Sequence, residues 1–208
     1  MRVAITNLDT IVSGDWRSPF IEGDRIITKD GLIEAVGDVA QSQVDQCDVV
    51  IDAGGSTAIP GLIDSQVHVT FGDFTPRQNT VGYLSSYLHG GTTTSISASE
   101  VHVPGRPSDP QGVKALAVAA HKCFLTYRPG GMKVHAGSII LEPGLVPSDF
   151  TEIRKDGVWL AKAGFGGVKA ASEYIELVAM AKESGMVTTL HTGGASIPGS
   201  FPITGQDL

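Results

Sequence analysis

Residues that can bind a metal lie near the ends of two apolar segments of this chain. Gln66 and His68 lie near the end of LIDSQVHV, and His191 lies near the end of MVTTLHT. In an extended strand, positions i and i+2 point to the same face, so Gln66 and His68 would project side by side. Imidazole is a common ligand of divalent transition metals. The pattern therefore predicts a metal site in which an amide replaces one imidazole.

A fourth candidate is Lys162, which follows Leu160-Ala161 in another apolar segment. Burying an ammonium without a partner is costly, so a lysine in a predicted strand indicates a specific role. The structural alternative is that the amine extends past the strand end into water. Likewise, a lone strand histidine is more often a hydrogen-bonded core residue than a ligand.

The other histidines have no ligand partner at a useful spacing. We interpret His89, His102 and His135 as structural residues and His121 as a helix-surface residue. The four candidates differ from them because they fall at matching positions of the first, fourth and fifth predicted strands described below.

The elements that must position these residues fall into two groups. Residues 1–57 contain short strands and turns, including a hairpin that reverses at Lys29–Gly31, and predict part of a small β-sandwich domain. From residue 58 onward, strands alternate with helices, with Pro110 near a helix start and Gly185 at a helix end.

Such alternation is typical of an α/β fold with parallel strands. The five βα units of residues 58–208 predict the amino-terminal part, strands 1–5, of a (β/α)8 TIM barrel, which needs about 250 residues when complete. Active residues of such barrels lie at the carboxyl ends of the strands, where the four candidates fall.

Composition excludes several classes of function. The 208 residues are 41% hydrophobic and 18% charged, which favours a folded core over disorder. A net charge of −7 argues against nucleic acid or an anionic membrane as a partner. The two cysteines, Cys47 and Cys123, do not form a disulfide framework. We expect a cytoplasmic protein without a membrane span.

The same segments resemble the metal-dependent amidohydrolase superfamily. STAIPGLIDSQVHV is similar to its first barrel strand, which usually reads Pro-Gly-Leu-Ile-Asp-x-His-x-His, and VTTLHTGG is similar to its fifth. Within the superfamily the chain resembles the enamidases, through segments that include KVHAGSIILEPGL and HTGGASIPGS. The resemblance implies a hydrolase that uses metal-activated water on a carbon–nitrogen bond of a cyclic amide or enamide.

The resemblance also implies a set of metal ligands. His68 matches the second histidine of the first-strand pair, and His191 matches the fifth-strand ligand. Lys162 falls at the fourth-strand bridge, which in the family is a glutamate or a lysine carboxylated by carbon dioxide. Gln66 replaces a histidine and would weaken one position. The implied cofactor is one or two divalent metals, with zinc first and iron as the alternative.

Arg77 and Arg106 are candidate contacts for an anionic substrate, with a solvated loop arginine as the alternative. The family's sixth-strand histidine and its general-base aspartate on the eighth strand have no counterpart in residues 1–208. No residue of this sequence is therefore assigned a catalytic role. We expect this chain alone to be inactive and to aggregate, to form domain-swapped oligomers or to need a partner.

The expected partner is a small cyclic amide, without nucleic acid or membrane, and the full-length form is expected to be a homo-oligomer. The alternative is a non-catalytic descendant that keeps the fold and binds a small molecule or a partner. Gln66 favours that alternative, whereas Lys162 and His191 favour the hydrolase.

Overall fold

The computed structural model describes residues 1–68, 80–98, 106–193 and 199–206, which have a mixed α/β structure. The chain divides into a first unit, Met1–Gly61, and a second unit, Leu62–Leu208. Within the described residues, no helix is long and apolar enough to cross a membrane.

The first unit contains two small sheets and one short helix. Its elements are β1 (Arg2–Thr6), β2 (Thr10–Val12), β3 (Phe20–Ile21), β4 (Arg25–Lys29), β5 (Leu32–Gly37), α1 (Gln41–Val44), β6 (Val49–Asp52) and β7 (Thr57–Ala58). One sheet has the order β5-β4-β1-β6 and the other β3-β2-β7. In the larger sheet β1 runs antiparallel to β4 and parallel to β6.

The predicted hairpin is present between β4 and β5. Its turn residues Asp30 and Gly31 have φ angles of 51° and 83°, as a type I′ turn requires. The alternation of β1 and β4 then buries Ala4 and Ile27 completely, and both contact Val39 and Val44 in the core of this unit.

The second unit alternates strands and helices. Its elements are β8 (Leu62–Val67), α2 (Thr80–His89), β9 (Thr92–Ser97), α3 (Pro110–Thr126), β10 (Lys133–His135), β11 (Ser138–Ile140), α4 (Pro147–Lys155), β12 (Leu160–Ala163), α5 (Ala171–Glu183) and β13 (Val187–Leu190). Every pairing among these strands is parallel. They form two sheets, with the orders β10-β9-β8 and β11-β12-β13.

The sequence pattern predicts MKVHAGSIIL as one continuous strand, the third of the second unit. This prediction was wrong, because two strands in different sheets, β10 and β11, replace it. The break lies at Ala136-Gly137, where Gly137 has a φ of 95°. A Cβ atom at Gly137 would lie 2.7 Å from the carbonyl oxygen of Ala117, so α3 packs directly on the break. Only glycine combines this backbone conformation with this close approach.

Local signals place the helices that flank the strands. The Asp109 carboxylate accepts a hydrogen bond of 2.9 Å from the Gly112 N–H, and Pro110 is the first residue of α3. The apolar face of α3 contributes Val113 and Ala117 to a core that also contains Ile139, Phe150 and Leu177. This core supports β11, β12 and β13.

Candidate metal centre

Lys162 is completely buried in β12, between β11 and β13. It pairs with Ile140 on one side and Thr189 on the other, and its side chain has an exposed fraction of 0%. No residue that the structure describes forms a hydrogen bond with its amine. The lysine therefore does not extend into water, and a polar atom that usually requires a partner is buried without one.

Burial changes the protonation of this amine. Loss of hydration disfavours the ammonium and lowers the pKa of Lys162 from 10.5 to about 8. A substantial fraction of the amine is consequently neutral just above neutral pH. The neutral amine is the form that can bind a cation or react with an electrophile.

The ring of Phe165 brings three of the predicted ligands together. The Lys162 Nζ atom lies 5.3 Å from the ring centroid. The His191 imidazole stacks on the ring with 4.8 Å between centroids and an interplanar angle of 28°. The His68 imidazole meets the ring edge-on, at 6.1 Å and 81°. Phe165 is not among the site residues predicted from the sequence. Its position between Gly164 and Gly166, at the end of a strand with a predicted ligand, was the signal that could have identified it.

Gln66 lies at an irregularity of β8. Asp64 pairs with Ser95 and Val67 pairs with Ser97, so β8 has one residue more than β9 across this interval. The Asp64 carboxylate accepts a hydrogen bond of 3.0 Å from the Gln66 N–H. Such a bulge redirects side chains, so the simple i, i+2 argument for Gln66 and His68 does not apply. Gln66 is exposed, whereas His68 is half-buried.

The turn that carries Phe165 is sterically fixed. Gly164 has a φ of 104°, and a Cβ atom there would lie 2.7 Å from the carbonyl oxygen of His191. A Cβ atom at Gly166 would collide with the carbonyl oxygen of Leu141. The backbone of this turn therefore packs against both neighbouring strand ends, and a side chain at either glycine would displace Phe165.

A buried ion pair holds the same turn by hydrogen bonds. Arg106 and Glu142 form an ion pair of 2.5 Å, with side chains 7% and 1% exposed. Glu142 also accepts a hydrogen bond of 2.5 Å from the Gly167 N–H, and Arg106 donates one of 2.6 Å to the Phe165 carbonyl. The pair consequently fixes the backbone on both sides of Gly166.

The hydrogen bonds of Arg106 affect its predicted role as a substrate contact. The guanidinium of Arg106 is engaged by internal acceptors, so the alternative of a solvated loop arginine was wrong, and a substrate carboxylate would compete with Glu142. Arg77 and His102 lie outside the described residues. A role for either arginine in substrate binding stays a prediction.

The structure also places the remaining histidines. His89 is exposed at the end of α2, and His135 contacts the Trp159 ring edge-on at 5.4 Å. His121 is half-buried, and its Nε2 atom lies 2.5 Å from the position that a Cβ atom would take at Gly157. The prediction of a helix-surface residue at position 121 was therefore wrong.

The possible metal donors around Phe165 are two imidazoles and one lysine amine. Among residues 1–68, 80–98, 106–193 and 199–206, no group of three or more His, Cys, Asp or Glu side chains could hold a metal ion. Lys162 is therefore the candidate third donor in the described residues, since its amine lies near the ring that both imidazoles contact. An ammonium cannot bind a cation, but a neutral amine or its carbamate can. The buried amine without a partner fits that requirement.

Comparison with known proteins shows which sequences and folds the chain resembles. Over its full length the chain is 46% identical to enamidase from Eubacterium barkeri and spans 54% of that protein. A crystal structure of enamidase, described as a new member of the amidohydrolase superfamily, matches the whole chain with a TM-score of 0.87. The chain is therefore similar over its whole length to a member of the amidohydrolase superfamily. The resemblance to this superfamily and to the enamidases, predicted from the sequence, is confirmed.

More distant amidohydrolases share parts of the sequence or the fold alone. Imidazolonepropionase from Pseudomonas putida is 33% identical over 100 residues, which are 46% of this chain and 25% of that protein. The atrazine chlorohydrolase TrzN from Arthrobacter aurescens, solved with zinc and atraton, matches 91% of this chain and 60% of TrzN at 17% identity and a TM-score of 0.57. No family model matches the chain. The chain spans about half the length of the enamidase that it matches.

Proposed function

We propose that this chain contributes to a hydrolase that opens a carbon–nitrogen bond of a cyclic amide or enamide with metal-activated water. The observation that carries the proposal is the buried, unpartnered Lys162 amine on the ring that it shares with His68 and His191. The 46% identity to enamidase supports a cyclic amide or enamide as the class of substrate. In this proposal the substrate is a small molecule.

The proposal extends to the fold. The parallel strands β8 to β13, with β10 and β11 together as the third, would be the first five strands of a (β/α)8 barrel over residues 58–208. The sheets of residues 1–57 would be part of a small β-sandwich. The match to the enamidase crystal structure over the whole chain supports this assignment, as does the parallel pairing.

His68, His191 and Lys162 would hold one divalent cation, with zinc as the first candidate. A bound cation would supply Lewis acidity and lower the pKa of water toward 7. The neutral Lys162 nitrogen would add to carbon dioxide and lose one proton to water, which gives a carbamate whose single negative charge is shared by two oxygens. The exposed amide of Gln66 is a weaker donor than imidazole and would leave a second position poorly filled.

Other residues of the chain would orient and protect this centre. The Phe165 ring packs on both imidazoles and excludes water from one side of them. The Arg106–Glu142 pair keeps the Phe165 turn in place. The proposal assigns the general base to an aspartate outside these 208 residues, so the chain alone is expected to be inactive toward cyclic amides.

Metal content tests the proposal directly. The wild-type protein, incubated with zinc and bicarbonate and then desalted, should retain zinc that elemental mass spectrometry detects. Lys162→Met should lose most of it, and Gln66→His should retain more than wild type. Lys155→Met, which removes an exposed lysine on α4, is the matched control and should not differ from wild type.

A second readout identifies the modified lysine. With ¹³C-labelled bicarbonate, the wild type should show a carbamate resonance that Lys162→Met lacks. Equal zinc retention in wild type and Lys162→Met would contradict the proposed site. A wild type that retains no zinc would favour the alternative, a non-catalytic descendant, which Gln66 already supports.

A further inference from the structure

One cavity of the second unit, which shares no residue with the candidate metal centre, has an unusual electrostatic character. It has a volume of about 260 Å³ and lies between the second half of α3 and strand β10. Its ionisable lining residues are all basic: His121, Arg128, Lys133 and His135. The rest of its wall is apolar and consists of Phe124, Leu125, Val134 and Ala136.

These basic groups have little internal compensation. In the part of the chain that the structure describes, no carboxylate forms an ion pair with Arg128 or Lys133. Arg128 donates one long hydrogen bond of 3.4 Å, to the Phe124 carbonyl. Burial lowers the pKa of His135, and the charges of Lys133, Arg128 and His121 lower it further. Positive charge is therefore concentrated here in a chain whose net charge is −7.

The two imidazoles are held in place by their neighbours. His121 packs against Gly137 and Gly157, where a Cβ atom would lie 2.7 Å from the His121 Cβ and 2.5 Å from its Nε2, respectively. His135 packs edge-on against Trp159, with 5.4 Å between ring centroids and an interplanar angle of 86°. The two imidazole donors of this cavity are thus pre-positioned, which reduces the entropy lost when a ligand binds.

We propose that this cavity binds a dianionic oxyanion, namely the phosphate group of a small molecule or free phosphate. Arg128 offers paired N–H donors and Lys133 a compact charge, and the two permanent charges match those of a phosphate dianion. The imidazoles add N–H donors. A metal cation is disfavoured, because the same arginine and lysine would repel it. The proposal does not depend on the proposed hydrolase, since the two sites share no lining residue.

Trp159 provides the readout. The chain has two tryptophans, and Trp16 is 79% exposed, so Trp16→Phe leaves Trp159 as the reporter beside His135. Sodium sulfate and sodium phosphate are titrated at constant ionic strength, with sodium chloride as the balancing salt. Both dianions should change the Trp159 fluorescence saturably, whereas sodium acetate should bind more weakly.

Charge-removing variants locate the effect. Arg128→Gln and Lys133→Gln should each weaken sulfate binding about tenfold, the loss expected for one charge-assisted hydrogen bond. Lys122→Gln is the matched control, because Lys122 lies on α3 next to His121 but pairs with Asp156 and is outside the cavity. It should bind sulfate as wild type does. Thermal unfolding confirms that each variant is folded.

The pH dependence gives an independent arm. Sulfate keeps two charges between pH 6 and 8, so any change reflects the protein. His135 faces Lys133 on its own strand, His121 on α3, Arg128 after α3, and Trp159. A bound dianion stabilises the imidazolium, so sulfate should bind more tightly as the pH falls. If glycerol phosphate binds more tightly than free phosphate, the ligand is the phosphate group of a small molecule. If free phosphate binds more tightly, the ligand is free phosphate.

Two results would overturn the proposal. One is a fluorescence response to sulfate that equals the response to chloride at the same ionic strength. The other is sulfate affinity in Arg128→Gln and Lys133→Gln that equals the affinity of Lys122→Gln. A Lys162→Met variant should bind sulfate like the wild type, which separates this site from the proposed metal centre.

Discussion

Two buried lysines in the second unit have opposite environments. Lys114 on α3 is 8% exposed and forms ion pairs of 2.7 Å with Asp149 and 2.6 Å with Glu152, both on α4. Lys162 on β12 is 0% exposed and has no hydrogen-bond partner within the described part of the chain. Hydrogen bonds to the two carboxylates raise the pKa of Lys114, whereas burial lowers the pKa of Lys162 to about 8.

The difference separates a structural charge from a functional one. The charge of Lys114 joins two helices and is neutralised where it lies. The charge of Lys162 is opposed by its surroundings, which costs stability unless the group is neutral or bound. A fold that buries such an amine near an aromatic ring that also contacts two imidazoles sacrifices stability at that point. This is the pattern expected of a ligand-binding position.

The largest effect on stability is expected when a buried, paired cation loses its partner and is left unpaired, as Lys162 is. Glu142→Gln removes the charge that neutralises Arg106, whose side chain is 7% exposed. We expect a loss of about 3–5 kcal/mol in the free energy of unfolding, because an uncompensated buried charge remains. Urea denaturation measures it. Glu176→Gln, at an exposed position of α5, makes the same chemical change and should leave the midpoint unchanged; a similar midpoint in both variants would contradict the prediction.

A smaller loss is expected at the paired lysine itself. Lys114→Met leaves Asp149, 14% exposed, without its cation, and should cost about 2–3 kcal/mol, less than for a fully buried pair. The matched control is Lys122→Met, because the Lys122–Asp156 pair has side chains 51% and 47% exposed. An exposed pair contributes about 0–1 kcal/mol. Equal losses for both variants would show that the Lys114 pair is not a structural element.

The opposite sign is expected at Lys162. In metal-free protein prepared with a chelator at pH 7, Lys162→Met should increase the free energy of unfolding by about 1–2 kcal/mol. Methionine has a similar length and removes an unpaired buried charge, and such replacements are often stabilising. The measurement is again urea denaturation. A loss of stability comparable to that of Lys114→Met would remove the distinction between the two lysines.

The pH dependence refines this prediction. The pKa of Lys162 is about 8 in the folded chain and 10.5 as the unperturbed value, so the unfolded chain holds the proton more tightly between these values. The penalty is complete below pH 8, decreases as the pH rises, and is absent above 10.5. Wild type should therefore approach Lys162→Met in stability across that window. Lys114, with its raised pKa, keeps its proton through most of it.

The sequence predicted well what depends on short-range pattern. Alternating apolar segments with glycine and proline at their ends gave the order of strands and helices in the second unit, including the start of α3 at Pro110. The position of Lys162 inside a strand was visible for the same reason. The β4–β5 hairpin followed from its Asp30-Gly31 turn. These features are encoded within a few residues.

Features that depend on distant contacts were not predictable. The Arg106–Glu142 pair joins residues 36 positions apart, and the role of Phe165 arises only when three strand ends meet. The irregularity beside Gln66 depends on how β8 pairs with β9. The basic cavity combines α3, the segment after it and β10, so His121 and His135 looked unrelated in the sequence.

The interruption between β10 and β11 divides the strands of the second unit into two separate hydrogen-bonded blocks. Because the two strands belong to different sheets, one ladder can open while the hydrogen bonds of the other persist. Helix α3 packs on both strands and is the element that links their fluctuations. Sub-global opening usually follows such boundaries. A loss of order around β8, β9 and β10 would thus release His68 while Lys162 and His191 remain in their own block.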